Sequence, residues 1–371
     1  MNLVLTDDQR LIRNEAVRFL SERSSSEAVR RLVEAGEGTD RGLWNAIARE
    51  LGWCGMAIPE EHGGLGLGAT ELVLLQEACG ERLACVPFWS TTCLAVPLLL
   101  AVASEEAKAR FLPAIASGEV AAAVAWGAIG EIDPLRTADV RAEAVGDGYR
   151  LDGRVAQVVD LPAANLVLVP AWLDGAVVLF ALEPEAGFDV RPLKTLDATR
   201  PLGELALRGL VIPAAARIDK VEMTADVVSP ALTLANLGLA AEQLGAARGV
   251  MDMTLAYVAE RVQFGRTIAS FQAIKHRCAR LEVDLAEARA LLYGAAAGEV
   301  VLEVSAVRAL ASDLLYRAAE EAIQMHGGVG FTWEYDPHLY FKRAQATHSL
   351  LSTPEAHLER IAAAIVDGVT A

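Results

Sequence analysis

The sequence predicts an α+β protein in which helical layers flank a sheet, and three features of the chain carry that prediction. Over residues 1–118 apolar residues recur near a 3.6-residue period. From 119 to 217 that period gives way to short β-branched runs cut by Gly, Asp and Pro, and from 218 to 371 long helical stretches return. Helices, then strands, then helices is the order of a protein with segregated layers. The expected organisation is an N-terminal helical domain (1–118), a middle antiparallel, β-barrel-like domain (119–217) and a C-terminal four-helix bundle (218–371).

Taken in order, DDQRLIRNEAVRFLSER sets Leu11, Ile12, Val17 and Leu20 close to helical spacing, with Thr6 or Asp7 as the N-cap. LWNAIARELGW (43–53) is a second amphipathic stretch that stops at Gly52, where the turn-rich loop PEEHGGLGLGA (59–69) follows. ATELVLLQEACGERL and TTCLAVPLLLAVA carry the helical pattern to Leu112–Pro113. The strand runs are VAAAVAW, YRLDGRVAQVV, ANLVLVPAWLDGAVVLFAL and GELALRGLVI, with a turn at Gly146–Gly148. The last third reads as long helices, each able to run some 35–50 Å at about 1.5 Å per residue.

Composition removes several function classes. With 33 Lys+Arg against 49 Asp+Glu the net charge is −16, which repels a phosphate backbone and argues against a nucleic-acid footprint. The longest apolar runs, such as LAVPLLLAVA (94–103), fall well short of the roughly 20 residues that span a bilayer. The start, MNLVLTDDQR, places acids where a signal peptide needs basic residues. Cys54, Cys79, Cys85, Cys93 and Cys278 are odd in number and sit among apolar residues, the pattern of reduced thiols in a cytoplasmic protein. No CxxC or HExxH spacing appears, so no metal site is expected.

Two C-terminal segments are specific: AERVQFGRTIASFQAIKHRCARLE (259–282) and AIQMHGGVGFTWEYDPHLYFKRA (322–344). Each has an ordinary reading by itself. GGVG alone reads as a helix-terminating turn, a lone Arg at a helix end as a solvated partner of the helix dipole, His326 as a packed histidine and His276 as part of a semi-exposed face. In this order and in one domain, however, the segments resemble the acyl-CoA dehydrogenase family, which carries R-x-Q-F-G, then F-Q-x-x-K/Q-H, then Q-x-x-G-G-x-G-F. GWCGMAIPEEHGGLGLG (52–68) and the three-domain order extend the resemblance more weakly along the chain.

The resemblance implies FAD as cofactor, reached across a subunit boundary by Arg261, Gln263, Phe264, Gln272, Gln324, Gly327 and Gly328. Physically, an arginine fork suits a pyrophosphate, Gly265 would close the preceding helix, and Gly327, Gly328 and Gly330 let main chain approach a phosphate without a Cβ. The resemblance also implies an acyl-CoA substrate, α,β-dehydrogenation in lipid metabolism, a homo- or hetero-oligomer, and an electron-transfer flavoprotein or other acceptor.

The chain departs from the family in two places. Where the family offers a T-E-P-x-A-G-S-D stretch and a W-I-T/S-N segment to hold the flavin, this chain has AVAWGAIGEIDPLRTADV (123–140) and GRVAQVVDLPAANLVLV (153–169), without the hydroxyls or the Trp; Trp126 near the first reads equally as a sheet-core residue. The family's glutamate base falls by count on Leu351, and the alternative slot on the first long C-terminal helix falls on Ala235; neither takes a proton. Glu242 lies two turns beyond Ala235 on the same face of an apolar helix. Two readings stand for it: a desolvated general base, or a buried glutamate paired with an arginine of another helix, such as Arg248. Glu355 and Glu359 read as solvated.

The expected function is therefore flavin-dependent dehydrogenation of an acyl-CoA, with the FAD site shared between subunits. It resembles the bacterial heteromeric members, one of whose subunits has a degraded middle domain, including those acting on steroid or polyketide acyl chains. The alternatives are a non-catalytic subunit that completes a partner's FAD site, and a flavin oxidase or monooxygenase on the same fold.

Overall fold

A computed structural model describes residues 5–126, 135, 139–298 and 301–368. The chain divides into two compact units: Met1–Arg31, Val73–Ala84 and Asn236–Ala371 form one, Leu32–Leu72 and Cys85–Ala235 the other. The N-terminal helical segment thus contributes to both units, with boundaries inside α2 (Ser26–Ala35) and α4 (Ala69–Glu81), and a further boundary falls inside α7 (Ala225–Glu260).

The sheet lies in the second unit, along with α3 (Arg41–Asn45), α5 (Val96–Val102) and α6 (Glu105–Ala116). It comprises β1 (Ala122–Val124), β2 (Val140–Val145), β3 (Gly148–Val159), β4 (Leu166–Leu173), β5 (Ala176–Leu182), β6 (Asp189–Pro192) and β7 (Leu202–Pro213). The order is β1-β4-β2-β3-β7-β6, with β5 also on β4. Two tight turns set the hairpins: Gly146 at φ 59° joins β2 to β3, and Asp174 and Gly175 at φ 52° and 90° join β4 to β5. The sheet is open and mixed where the sequence suggested antiparallel pairing, since β4 runs parallel to both β1 and β2. No tight turn joins those strands, so nothing local fixes their direction. The core lies on the face of Val140, Leu151, Val155, Val158, Val169, Phe180 and Leu205.

The first unit begins with α1 (Asp7–Arg23), where Thr6 is the cap: its hydroxyl accepts from the Gln9 amide and the Gln9 side chain returns to the Thr6 amide. α2 (Ser26–Ala35) follows and holds Arg30 against Asp336. The C-terminal helices are α7, α8 (Gln272–Gly298), α9 (Val301–His326), α10 (Pro337–His348) and α11 (Pro354–Val366). Ion pairs of Arg248 with Glu282 and Arg317 with Asp284, each at 2.7 Å, tie α7 to α8 and α9 to α8.

The tightest contact in this unit is between α4 and α7. A Cβ on Gly80 would stand 2.0 Å from the Glu242 carbonyl oxygen, one on Gly245 1.9 Å from the Glu77 oxygen, and one on Gly249 2.2 Å from the Glu81 oxygen. The two backbones touch along two turns, and no side chain fits between them. Gly245→Ala should therefore cost at least about 3 kcal/mol, because main chain and not a flexible side chain must give way. A denaturation midpoint unchanged from that of the native protein would show that the helices can separate at little cost.

Candidate cofactor-binding site

The sequence singled out two segments, and the first unit brings them together at one surface. α7 ends at Glu260, and Arg261 opens a two-residue hairpin of β8 (Val262–Gln263) and β9 (Arg266–Thr267). Phe264 and Gly265 form its turn at φ 53° and 76°. Gly265 is thus a hairpin residue and not the helix-closing glycine the sequence suggested. Main chain on both sides fixes Arg261: its amide donates to the Tyr257 carbonyl at 2.9 Å and its carbonyl accepts from Ile268 at 2.8 Å. Its guanidinium is exposed and forms no ion pair among the described residues. Phe264 is 93% exposed, in a conformation that disfavours any side chain except glycine's hydrogen. The Phe271 ring braces the hairpin, with Arg266 over its face at 3.9 Å and Phe264 against its edge at 6.3 Å. Gln263 turns back to the Val262 carbonyl, and Gln272 opens α8 with its side chain exposed.

The second segment closes α9. Gln324 is exposed two residues before the end, and His326 is buried. Gly327 takes φ 65° and begins a 3₁₀ turn through Phe331. A Cβ on Gly327 or on Gly328 would meet nothing within 4 Å, so this main chain lies open to a ligand. Gly330 is different. A Cβ there would stand 2.9 Å from the Ile323 carbonyl oxygen, so that glycine serves packing within the turn. Tyr257 of α7 stacks on His326, ring centroids 4.1 Å apart, and joins the two segments.

Glu242 sits away from this surface, inside the helix bundle. It is 2% exposed; one oxygen accepts from Gln76 Nε2 and the other from Arg343 Nη1, each at 2.7 Å. This is the second of the two readings the sequence left open, with Arg343 of α10 as the partner. Arg248 instead reaches Glu282 and Asp252. A general base needs a lone pair turned toward a substrate proton, and each oxygen of Glu242 already has one lone pair turned to an amide or a guanidinium. Beside it Gln243 accepts from Arg308 and donates to Thr347 Oγ1, both at 3.0 Å. Arg308 also donates to the carbonyls of Thr347 and Leu350. Burial holds the Arg308 guanidinium down to about 9. Sequence reasoning missed Gln76, Arg343 and Arg308. The one available signal was helical spacing, which puts Tyr340, Arg343 and Thr347 on one face of α10.

The other carboxylate slots are apolar here too. Ala235 is fully buried, and Leu351 adopts φ 63° just before Ser352 and the α11 cap Thr353. Glu355 and Glu359 are exposed, as expected. His276 is exposed on α8.

In the second unit, residues 127–134 and 136–138 of the first flavin-facing stretch lie outside the described residues. Trp126 is buried, and among the described residues its indole N–H has no partner. In β3, Val155 and Val158 point into the sheet core, Gln157 sits at φ 61° in a bulge, and Arg154 pairs with Glu204, which also takes Arg191 at 2.8 Å. From Gly153 to Val159, the part of the strand that corresponds to the second flavin-facing segment, no side chain carries a hydroxyl. The donor chemistry thus fits FAD on the Arg261–Gly328 surface and does not fit it along β3. Among the described residues no helix is long and apolar enough to cross a membrane, and no three His, Cys, Asp or Glu residues could hold a metal.

Comparisons with known proteins match along the whole chain. The model of the acyl-CoA dehydrogenase N-terminal domain matches residues 6–119, and that of the C-terminal domain matches residues 225–366. Acyl-CoA dehydrogenase IpdE2 of Mycobacterium tuberculosis is 32% identical over 96% of each chain. Among solved structures, the ChsE4–ChsE5 complex from Mycobacterium tuberculosis matches with a TM-score of 0.88 at 30% identity, over 100% of both chains. The Tcur3481–Tcur3483 steroid ACAD matches at 0.85 and 26% identity, over 98% of both.

Glu242→Gln takes away the carboxylate partner of the buried Arg343 guanidinium, so it should lower stability by about 3–5 kcal/mol. Equilibrium denaturation measures this directly. Native-like stability together with loss of activity would instead identify Glu242 as the base.

Proposed function

The chain is a member of the acyl-CoA dehydrogenase family, and from that premise we propose that it works in an oligomer that dehydrogenates an acyl-CoA at Cα–Cβ, in which it supplies one edge of an FAD site shared with a partner chain. One observation carries this reading: an arginine without an ion pair among the described residues, open glycine main chain and an exposed phenylalanine meet at one surface, while residues 153–159 of this chain's own β3 carry no hydroxyl. Arg261 would hold the pyrophosphate, the Gly327–Gly328 main chain would lie against the cofactor, and Gln263, Gln272 and Gln324 would supply amide contacts. Bound FAD would supply the acceptor for the β-hydride.

The α-proton needs a base, and the candidate slots in this chain speak against its supplying one. Glu242 is held by Gln76 and Arg343, and Leu351 and Ala235 carry no acid. The partner would then carry the carboxylate, which favours a heteromeric assembly in which this chain completes a partner's FAD site. The ChsE4–ChsE5 complex supports that reading, as a two-component assembly similar to this chain along its whole length. Similarity to the Tcur3481–Tcur3483 steroid ACAD favours an acyl-CoA with a bulky, steroid-type acyl group. An electron-transfer flavoprotein or a similar acceptor would reoxidise the flavin.

Arg261→Ala tests this. Losing a charge-assisted contact worth about 1.5–3 kcal/mol should weaken FAD binding by the assembled oligomer some 10- to 150-fold, with the melting temperature of the chain unchanged. Flavin affinity equal to that of the unsubstituted assembly would contradict the assignment. Oxygen uptake accompanying substrate oxidation would point to the oxidase alternative.

A further inference from the structure

The two halves of the proposed FAD edge belong to different helices and meet where Tyr257 stacks on His326. His326 is the last residue of α9 and immediately precedes Gly327. Its imidazole lies flat on the Tyr257 ring, 4.1 Å between centroids and 18° from parallel, and Tyr335 closes on both rings at 5.8 Å. Tyr257 stands one helical turn before Arg261 and accepts the Arg261 amide on its carbonyl; its hydroxyl donates to the His326 carbonyl at 3.4 Å. The tilt of the imidazole is fixed as well. Nδ1 lies 2.7 Å from the Ala322 carbonyl oxygen, and because a carbonyl only accepts, Nδ1 carries the proton. The turn packs back against the end of α9: a Cβ on Gly330 would stand 3.0 Å from the His326 Cβ and 2.9 Å from the Ile323 carbonyl oxygen, so a residue without a side chain is needed there.

Buried, with its Nδ1 proton committed to Ala322, His326 is placed to hold the parts that touch a ligand. We infer that His326 is a positioning residue whose ring, stacked on Tyr257, sets the spacing between Arg261 and the Gln324–Gly328 turn so that both engage one cofactor. This inference rests on the reading that Arg261 and the turn bind FAD. Without the stack, the last turn of α7 and the end of α9 keep their own helical bonds but lose their mutual register. The loss should therefore appear in cofactor affinity and not in helix content.

The test is a set of FAD titrations of the assembled oligomer, read by flavin fluorescence, together with melting curves. His326→Ala removes the stack and should raise the FAD dissociation constant about tenfold. His326→Phe keeps a flat ring on Tyr257 and should stay within about threefold of the unsubstituted assembly. In an Arg261→Ala background, His326→Ala should add less than about twofold, because a residue that acts through Arg261 has nothing left to position. If His326→Ala does not fold, Tyr257→Leu breaks the same stack from the α7 side and should give the same tenfold loss. The inference is overturned if His326→Ala, or Tyr257→Leu in its place, binds FAD like the unsubstituted protein. It is also overturned if His326→Phe is as damaging as His326→Ala, or if the full tenfold loss persists in the Arg261→Ala background. Should Arg261→Ala itself leave affinity unchanged, the shared-site reading fails instead, and the two failures are distinct.

Discussion

The ion pair of Glu242 with Arg343, buried beside the glycine contact of α4 and α7, is the constraint on which the rest of this unit depends. Main-chain contact at Gly80, Gly245 and Gly249 brings the two helices closer than side chains would permit. The Glu242 carboxylate, on the same stretch of α7, then reaches Gln76 of α4 and Arg343 of α10 at once. A buried pair of this kind gives little net stability over an apolar core, yet removing one member is costly, so it works as a register pin. Next to it Gln243 and Arg308 bind Thr347 and the Leu350 carbonyl, which carries the constraint to the loop before α11. Two further groups repeat the pattern between α4 and α8: Glu77 lies 2.6 Å from Arg289 and accepts from the Tyr293 hydroxyl.

This polar core and the exposed edge divide the chemistry between them. The bundle uses its buried carboxylates for structure, while the surface at the ends of α7 and α9 keeps an arginine, two glutamines and glycine main chain free of internal partners among the described residues. Phe264, held in a left-handed conformation, touches the edge of Phe271 yet leaves 93% of its surface exposed. Phe331 and Trp333, 69% and 56% exposed, follow the glycine turn. Exposed aromatics beside unpaired donors are the marks of a surface that another chain or ligand covers. On the proposed reading, that edge and the apolar slots at Ala235 and Leu351 belong to one division of labour between unlike chains.

The order of helices, sheet and helices was legible because each element writes its own period into the sequence, and so were the Arg261 and Gln324–Gly328 segments. Burial of Glu242 followed from the apolar helix around it, whereas its partner did not. Helix periodicity orders residues on a face but is silent about which face a distant helix presents, and Arg343 lies about a hundred residues further along the chain. The hairpin after α7 was hidden because Phe264 gives no sign of positive φ; the glycine after it reads as readily as a helix terminator. The parallel pairing of β4 with β1 and β2 was hidden for a related reason, since hairpin turns announce direction and long connections do not. Gly330 and Gly327 look alike in sequence, and only the carbonyl of Ile323 distinguishes a packing glycine from an open one.

The central claim, that this chain donates an FAD edge and depends on a partner's sheet to complete the site, is tested most directly by flavin stoichiometry. The chain should be purified by itself and again after co-expression with a candidate unlike subunit, and FAD counted per polypeptide from absorbance after denaturation. The account predicts little or no FAD on the chain alone and about one FAD for every two polypeptides in the assembly. One FAD per chain in the isolated protein would contradict it.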